Sequence, residues 1–395
     1  MQNIPLFKVF ISPNAKHKVG EVLDSGYIGQ GAVVEEFEKE LHNYFNHDKI
    51  LTLNAGTSAL HLALHLLKKP TTMWHNVYEH LAFAPHEWPG IQDGDEILAT
   101  PLTCTASNWP ILANNLKIKW VDIDPTTLNM DLDDLAQKMT LKTKAIIGVH
   151  WGGYPLDLYK IQAIQDKFRE QHGWAPLLIE DAAHGMGTKY KGRFLGSHGN
   201  LVMNSLQAIK HITSVDGGLL YCPTKELYDR AKLLRWYGID RNPEGRTDFR
   251  CEADIPEWGF KFHMNDVCAA VGLENFKYID EIVQKHRDNA QFYDKHLAGL
   301  DKVTLLKREE GFESSFWIYS LLVDDRPSFY AHMKNCGITV SQVHERNDKH
   351  SCMIEFKSNL PALDATIGKV VSIPVGWWVT EEQRNYIVES IKSWK

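Results

Sequence analysis

The stretch KILTLNAGTSALHLALHLLKK, residues 49–69, sets the pattern on which the fold prediction rests. It begins with a short apolar run, passes through a small polar turn, and continues with leucines spaced three and four residues apart. The apolar run is typical of a β-strand, and the leucine spacing is typical of a helix with one apolar face. A strand that leads directly into a helix is the repeating unit of an α/β protein.

Six more short apolar runs, each bounded by turn residues, follow before residue 225. They are DEILATPLT, IKWVDID, AIIGVHWGG, PLLIEDAA, NLVMNSLQ and GGLLYCP. Their apolarity is continuous rather than alternating, which favours strands covered on both faces, as in a parallel sheet. Helical patterns such as DLDDLAQKM and YKIQAIQDKFREQ lie between them. We therefore predict a large α/β domain, residues 1–227, built on a mostly parallel seven-stranded sheet.

The part of the chain after residue 227 has a different pattern, with long helices and few strands. ELYDRAKLLRWYG and DVCAAVGLENFKYIDEIVQKHRDNAQFYDKHLAGL predict long helices, FWIYSLLV predicts a strand, and EEQRNYIVESIKSW predicts a closing helix. This order indicates a smaller α+β domain, residues 228–395.

Residues 70–90 are longer than the connection of about 2–6 residues that usually joins a helix to a strand. We predict an insertion that packs as a lid or at a contact between subunits. Its histidines, His75, His80 and His86, match no standard zinc spacing. Aromatic packing explains them better, so no metal site is predicted.

The 395-residue chain has the composition of a soluble globular protein, with 44% hydrophobic and 24% charged residues. Its net charge of −7 argues against nucleic-acid binding, which relies on positive charge. No run of about 18 apolar residues indicates a membrane span, and the start of the chain has no secretory signal pattern. The six cysteines form no CxxC pair, which favours reduced thiols in the cytoplasm.

The segment NAGTSALHLAL contains the first candidate binding residues, Gly56, Thr57 and Ser58, between a strand and a helix. The N-terminus of a helix presents unpaired N–H groups to an anion, and the two hydroxyls add donors, so this turn can hold a phosphate. Capping of the helix by Thr57 or Ser58 is an equally good interpretation. The segment has neither the Walker A ending nor the GxGxxG pattern.

Two adjacent carboxylates, Glu180 and Asp181, end the run PLLIEDAA, where open α/β sheets place ligand contacts. Alternation along a strand directs them to opposite sides, so they are not predicted to act as an acid–base pair. Asp181 can keep a heteroaromatic nitrogen protonated; a helix cap or a salt-bridge partner is the alternative. His184, three residues on, is either a structural histidine or a cofactor contact.

Lys210 lies in SLQAIKHITSVDGG, residues 205–218, where a strand is predicted to end. An exposed surface lysine is the common case, but hydrogen-bonding side chains surround this one and the DGG sequence permits a tight turn. A desolvated lysine has a lowered pKa and can form a Schiff base with an aldehyde. A phosphate turn, an aspartate and a lysine, in this order, are what pyridoxal 5'-phosphate requires.

Seven segments resemble, in order, those of the DegT/DnrJ/EryC1/StrS family of sugar aminotransferases, which has the aspartate-aminotransferase fold. They are SGYIGQGAVVEEFEKEL, NAGTSALHLAL, DGDEILATPLTCTAS, VDIDPTTLNMD, IEDAAHGMGTKYKGRFLGSHG, SLQAIKHITSVDGG and GFKFHMNDVCAAVGLENF. The resemblance covers nearly the whole chain except residues 70–90. It implies a fold-type I pyridoxal-phosphate enzyme.

The resemblance also implies a role for each matching residue. Gly56, Thr57 and Ser205 would hold the cofactor phosphate. Asp181 would pair with the pyridine nitrogen, and His184 would lie near the ring. Lys210 would carry the cofactor as a Schiff base and move the proton. Lys261 would complete the phosphate site of the other subunit in a homodimer.

Two positions depart from the family: Cys104 stands where an aromatic residue usually covers the cofactor, and Lys261 stands where asparagine is usual. A dehydratase branch of the family has histidine in place of the lysine. Because His211 follows Lys210 directly, an alignment shifted by one residue would match that branch and remains open.

The expected function is that of a pyridoxal-phosphate-dependent aminotransferase. It would move an amino group, usually from L-glutamate, to a keto group of a nucleotide-linked deoxysugar. Substrate contacts are predicted at Arg241, His344, Arg346 and Lys349, because basic side chains suit a diphosphate; a solvated polar loop is the alternative. A sugar dehydratase of the same fold and a non-catalytic binding module remain open, whereas a nicotinamide-dependent enzyme lacks its glycine pattern here.

Overall fold

A computed structural model describes residues 3–68, 88–241 and 254–395 of the chain. Most of the predicted insertion at residues 70–90, with His75, His80 and His86, lies outside the described residues. No helix in the described ranges combines the length and the apolar sequence that a membrane span needs.

Strands and helices alternate through the first half of the chain. The strands are β1 (Ile50–Leu53), β2 (Glu96–Ala99), β3 (Lys117–Trp120), β4 (Thr143–Val149), β5 (Leu177–Asp181), β6 (Lys189–Tyr190), β7 (Arg193–Phe194), β8 (Leu201–Ser205), β9 (Gly218–Tyr221), β10 (Val303–Leu305), β11 (Phe312–Glu313), β12 (Tyr319–Val323) and β13 (Val370–Ile373). The helices are α1 (Ala15–Ser25), α2 (Ala32–Phe45), α3 (Gly56–Leu66), α4 (Thr105–Ala113), α5 (Leu132–Lys138), α6 (Leu158–His172), α7 (Lys225–Leu234), α8 (Asp266–Phe276), α9 (Ile279–Leu297), α10 (Arg326–Asn335), α11 (Pro361–Thr366) and α12 (Glu381–Lys392).

Seven strands form the central sheet, in the order β1-β9-β8-β5-β4-β2-β3. They are the seven apolar runs of the sequence, so the predicted mostly parallel seven-stranded sheet is confirmed. Only β9 runs against its neighbours, β1 and β8, while the other strands share one direction. The connection from β8 to β9, residues 206–217, contains no helix. Without a crossover helix the chain returns antiparallel.

Helices cover both faces of this sheet, and adjacent strand residues enter separate apolar clusters. In β4, Ala145 and Ile147 join the cluster that includes α3 and α4, whereas Ile146 joins the cluster that includes α2, α6 and α8. All three side chains are fully buried. The strand runs are largely apolar because alternate residues enter the two cores, and the removal of apolar surface from water drives folding.

A second, three-stranded antiparallel sheet, in the order β10-β12-β13, lies in the C-terminal part. It packs with α9, α10 and α12 around Tyr293, Tyr319 and Phe329. The strand predicted from FWIYSLLV is β12. The predicted closing helix is α12, which begins with a capping box between Thr380 and Gln383.

The long helical pattern after residue 265 forms two helices, α8 and α9, which separate at Lys277 and Tyr278. Helix α8 is buried on nearly all sides from Ala269 to Phe276, whereas α9 buries one stripe, so the break lets each helix follow its own packing surface. Helix α8 shares an apolar cluster with α2, so residues on both sides of position 227 contribute to one core. The domain boundary between residues 227 and 228 stays a prediction.

One buried ion pair fastens β1 to two helices. Arg235, directly after α7, donates to the Glu38 carboxylate on α2 and, at 2.8 Å, to the carbonyl oxygen of Thr52. The same carboxylate accepts hydrogen bonds from the Thr52 N–H at 2.9 Å and from its hydroxyl at 2.8 Å. Burial alone would raise the pKa of Glu38, but Arg235 and Thr52 outweigh it and lower that pKa below its usual value.

Replacement of Arg235 by Met should destabilise the protein by about 3–5 kcal/mol, because Glu38 would stay buried without its counter-charge. Urea unfolding at neutral pH, followed by tryptophan fluorescence, measures the loss. The double variant with Glu38→Gln should recover much of it, since a neutral amide leaves no unpaired charge. Because the folded pKa of Glu38 is depressed, the contribution of the pair is complete above the unfolded pKa and is lost as the pH falls through the folded one. An unchanged urea midpoint in the single variant would show that the pair contributes nothing.

Candidate active site

A cavity of about 450 Å³ lies at the edge of the central sheet where the parallel strands end. The loops after β1, β2, β5 and β8 line it, together with residues of the C-terminal part. Eight predicted site residues are among the lining: Gly56, Thr57, Cys104, Asp181, His184, Ser205, Lys210 and His344. The volume lies within the range of roughly 300–1,000 Å³ that is usual for sites of small ligands.

Helix α3 begins at this cavity without a side-chain cap. Its N-cap residue is Ala55, so Thr57 and Ser58 lie inside the first turn and cap nothing. The turn is tightly packed, because a Cβ atom on Gly56 would lie 3.2 Å from the Cβ atom of Ser205. The first N–H groups of α3 are therefore available to an anion beside Ser205.

Asp181, at the end of β5, faces the cavity and is held by two hydrogen bonds. Ser107 Oγ donates to its Oδ2 at 2.6 Å, and the backbone N–H of Ala183 donates to its Oδ1 at 3.0 Å. Burial raises the pKa of Asp181, while these hydrogen bonds and the charge of Lys210 act against the rise. The carboxylate would gain from a cationic partner in the cavity.

Glu180 points away from the cavity, as strand alternation predicts. Its carboxylate lies 3.0 Å from His150 Nε2 and accepts a hydrogen bond from Asn200 Nδ2 at 2.7 Å. The side chain is fully buried. The two adjacent carboxylates therefore have separate partners and form no acid–base pair.

Lys210 lies in the loop between β8 and β9 rather than on a strand. Its Nζ atom is 3.5 Å from the centroid of the Trp317 ring. Burial lowers the pKa of the Lys210 amine to about 8, although Asp181 and Cys104 act in the opposite direction. At pH 7.5 roughly a quarter of such amines are neutral, against about one in a thousand for an ordinary lysine. Lys210 is therefore not a solvated surface lysine.

His211 is directed away from the cavity, which separates the two adjacent candidates. Its imidazole is buried, its Nε2–H donates to the Ser315 carbonyl at 3.0 Å, and its ring lies 4.6 Å from that of His286. Burial lowers the pKa of His211 well below its usual value. The lysine, not the histidine, lines the cavity, which favours Lys210 over the one-residue shift.

Aromatic side chains form one wall of the cavity. The His184 ring stacks on Trp317 with centroids 4.0 Å apart and lies parallel to the His344 ring at 5.3 Å. Burial, helped by the charge of Lys210, lowers the pKa of His344 to about 3 and that of His184 well below its usual value. Both imidazoles are therefore neutral near pH 7. Their Nε2 atoms lie 3.3 Å apart, and His184 Nδ1 accepts a hydrogen bond from the Gly152 N–H at 3.3 Å.

Phe7, Ser107 and Trp317 also line the cavity, although they are absent from the predicted site. Ser107 follows Cys104 by three residues at the start of α4, and this spacing places both on one side of a helix. The three-residue spacing from Cys104 is a local signal by which Ser107 could be found from the sequence. Phe7 and Trp317 are remote in sequence from the other site residues, and no motif marks them.

Five predicted site residues lie outside the cavity lining: Ser58, Arg241, Lys261, Arg346 and Lys349. Arg346 is bound by the carboxylates of Asp348 and Asp364. Lys349 Nζ lies 2.5 Å from a carboxylate oxygen of Glu345. Both charges have carboxylate partners, and their role as substrate contacts stays a prediction.

Arg241 and Lys261 are exposed and lie near Trp236. The Arg241 guanidinium is 4.5 Å from the Trp236 ring centroid and donates to the Gln30 carbonyl at 3.0 Å. The Lys261 backbone bridges to Trp236, and its carbonyl accepts a hydrogen bond from Asn54 Nδ2 at 3.2 Å, beside the turn that opens α3. Lys261 therefore does not reach the cavity of its own chain, and its role in a partner's site stays a prediction.

Metal-ligating side chains do not cluster in the part of the chain that the structure describes. No group of three or more His, Cys, Asp and Glu residues there is arranged to hold an ion. The cysteines of the same ranges, Cys104, Cys222, Cys268, Cys336 and Cys352, are free thiols.

Residues 10–72 and 80–392 match the model of the DegT/DnrJ/EryC1/StrS aminotransferase family. The chain belongs to this family. The resemblance carried by the seven sequence segments is thereby confirmed, and with it the prediction of an enzyme that transfers amino groups.

Two solved structures and one named relative resemble this aminotransferase over nearly their whole length. AtS13 from Actinomadura melliaura is 46% identical with a TM-score of 0.91, and the match covers 100% of this chain and 99% of that one. The sugar aminotransferase CalS13 from Micromonospora echinospora is 43% identical with a TM-score of 0.89, covering 99% of each chain. GDP-perosamine synthase of Escherichia coli O157:H7 is 28% identical over 99% of this chain and 98% of its own. These matches confirm the predicted fold class.

The lowered pKa of Lys210 predicts that its amine reacts with an acylating reagent at unusually low pH. In competitive labelling of the cofactor-free protein, measured by peptide mass spectrometry, Lys210 should have its midpoint near pH 8. Lys167, exposed on α6, serves as the reference for reagent concentration. Asp181→Asn should move the midpoint lower, because the Asp181 charge favours the ammonium. A wild-type midpoint above about pH 10 would contradict a buried amine.

Proposed function

We propose that this protein is a pyridoxal-phosphate-dependent aminotransferase that transfers an amino group from L-glutamate to a keto group of a nucleotide-linked deoxysugar. One observation carries the proposal: a single cavity brings together an uncapped helix N-terminus, a buried carboxylate and an amine with a lowered pKa. In a member of this family, these three groups suit the three polar parts of pyridoxal phosphate. When bound, the cofactor supplies an electron sink for the carbon that exchanges the amino group.

The start of α3 suits the cofactor phosphate. Because Ala55 offers no side-chain cap, the first N–H groups and the positive end of the helix dipole are free to attract an anion. Thr57 and Ser205 add hydroxyl groups at the cavity. Gly218 permits the close packing behind this turn, since a Cβ atom there would lie 2.4 Å from the Ala55 carbonyl oxygen.

Asp181 suits the pyridine nitrogen. A protonated ring nitrogen would supply the positive partner from which this buried carboxylate gains, because burial raises its pKa. The hydrogen bonds from Ser107 and from the Ala183 N–H favour the ionised form and fix the direction of the carboxylate. His184 and Cys104 are proposed as further contacts of the ring, because both line the same cavity.

Lys210 Nζ is the atom proposed to move the proton. With a pKa near 8, its neutral form is available at physiological pH and can take a proton from the α-carbon of the amino-acid donor. The same amine then acts in the second half of the reaction, in which the keto sugar receives the amino group. The dehydratase alternative would need a histidine at the position of this lysine. His211 is hydrogen-bonded to the Ser315 carbonyl instead of lining the cavity, which favours amino transfer.

The sugar substrate is proposed from the relatives. One similar structure is named a sugar aminotransferase, and the relative from E. coli is named for GDP-perosamine. L-Glutamate is chosen as the donor because it is the usual donor that the family resemblance implies. His344 is the predicted substrate contact that lines the cavity.

We also propose a cytoplasmic homodimer with active sites shared between subunits. Lys261 is exposed beside the turn that opens α3, a position from which it can serve a neighbouring chain. The free thiols in the described ranges fit a reducing compartment.

Lys210→Ala should lower turnover by about a thousandfold or more, because proton transfer and covalent attachment of the cofactor are both lost. The assay supplies L-glutamate and a panel of nucleotide keto-sugars, and follows 2-oxoglutarate and the mass of the sugar product. The wild type with added cofactor should absorb near about 420 nm, in a band that borohydride removes and that the variant lacks.

Lys167→Ala, on the exposed side of α6, is the matched control and should keep both turnover and absorbance. Substantial amino transfer by Lys210→Ala would refute the assignment of that residue. Loss of water from the sugar without amino transfer would identify a dehydratase, and a wild type that takes up no cofactor would identify a binding module.

Lys261→Glu should weaken cofactor binding by about tenfold or more, because a negative charge would replace a positive one near the phosphate of the partner's site. At a cofactor concentration too low to load the Lys261→Glu variant, exchange of its chains with Lys210→Ala chains should restore about a quarter of wild-type activity, since half of the dimers are mixed and each has one intact site. If Lys261 acted within its own chain, mixing would restore no activity.

A further inference from the structure

We propose that Trp317 is a positioning residue for Lys210: its ring face holds the lysine amine whenever that amine is not joined to the cofactor. The purpose of this contact rests on the role proposed above for Lys210, whereas the contact itself is formed by residues of this chain without the cofactor. Trp317 lies in the C-terminal part, two residues before the start of β12, far in sequence from the loop that it contacts.

Trp317 contacts the Lys210 loop through both its polar and its apolar part. The indole N–H donates to the Ile209 carbonyl at 2.8 Å, and the ring centroid lies 3.5 Å from Lys210 Nζ. Trp317 is only 2% exposed. An ammonium over a tryptophan ring is attracted most strongly where water is excluded. One side chain therefore holds the loop backbone and the amine together.

The backbone before Trp317 directs the ring toward the lysine. Phe316 has a φ of 50°, in the left-handed region that bulky residues rarely adopt. Two buried histidines hold this kink: His211 Nε2 donates to the Ser315 carbonyl at 3.0 Å, and His286 Nδ1 donates to the Phe316 carbonyl at 2.8 Å. Such conformations persist only where surrounding contacts support them, and they cluster at functional sites.

Titratable groups face Lys210 from several elements. They are Asp181 at the end of β5, His184 after it, Cys104 before α4, His344 in the C-terminal part, and Asp216 in the lysine's own loop. His211, next to the lysine, is directed away from the cavity toward the Ser315 carbonyl. The oxygens of Asp181 already accept hydrogen bonds from Ser107 and the Ala183 N–H. The histidines stay neutral, because burial lowers their pKa. The ring of Trp317 thus stabilises the ammonium without an ion pair.

The proposed reaction frees the Lys210 amine for part of every cycle. A freed lysine side chain samples many rotamers, and those outside the cavity delay its return. The ring face of Trp317 keeps the amine inside the cavity. Because a ring face forms no directional bond, the amine remains able to leave it.

Competitive acylation of Lys210 in the cofactor-free protein tests the contact without any turnover. Trp317→Leu removes the ring but keeps an apolar side chain, and Trp317→Phe keeps a ring without the indole N–H. We expect the Leu variant to lower the labelling midpoint of Lys210 by about half to one pH unit, because the ring favours the ammonium, and the Phe variant to lower it less. Trp174→Phe, at a buried tryptophan that packs on Phe168 and lies outside the cavity lining, should leave the midpoint unchanged.

The direction of the shift discriminates between two roles of Trp317. If Trp317 only excluded water, its loss would hydrate Lys210 and raise the midpoint. An upward shift, or none, in the Leu variant would therefore overturn the proposal. If circular dichroism shows that the Leu variant is unfolded, the Phe variant is used instead. A lower labelling midpoint in the Phe variant would then support the proposal, and a higher or unchanged midpoint would overturn it.

A second measurement is the rate at which borohydride traps added pyridoxal phosphate on Lys210. Divided by the neutral fraction of the amine that the labelling midpoint gives, this rate should be several-fold lower in both Trp317 variants and unchanged in Trp174→Phe. A protein that shows the pH shift but takes up no cofactor would refute the proposed function and leave the contact intact. Normal cofactor uptake without a pH shift would refute only the role of Trp317.

Discussion

Removal of water from two opposite charges is the constraint on which this site depends. Burial raises the pKa of Asp181 and lowers that of Lys210, so each group is driven toward its neutral form. Hydrogen bonds from Ser107 and the Ala183 N–H favour the charge on Asp181, whereas Lys210 meets the uncharged ring of Trp317. A direct ion pair would have kept both groups charged and left little neutral amine. The unequal treatment of the two groups gives a carboxyl group oriented by two hydrogen bonds and an amine that can gain or lose a proton.

The direction of the strands explains why distant segments meet at one cavity. Parallel strands place the loops after β1, β2, β5 and β8 at the same edge of the sheet. The reversal of β9 has an equally direct effect. Because β9 is antiparallel to β8, the loop between them begins and ends at the cavity edge, and all of residues 206–217 stay near it. A parallel crossover would have carried the chain away from Lys210 to the far edge.

The sequence predicted those features whose signal is local. The seven apolar runs, the turn at Gly56 and the alternation that separates Glu180 from Asp181 depend only on neighbouring residues, and the structure contains all of them. The choice between Lys210 and His211 needed the fold, because a loop has no periodicity to orient side chains. Trp317 was not predictable for a related reason: its contact with the lysine loop joins two segments that only the tertiary structure brings together.

The segment that carries Arg346 has a structural role beside the substrate contact predicted for it. The residue after Arg346, Asn347, is fully buried and binds the loop after β2. Its N–H donates to the Pro101 carbonyl, and its side chain donates to the Thr103 carbonyl, both at 2.8 Å. Moving the segment would leave these buried polar groups without partners, which is costly. The segment therefore ties the C-terminal part to the edge of the central sheet, and His344, three residues before Asn347, is thereby held beside the cavity.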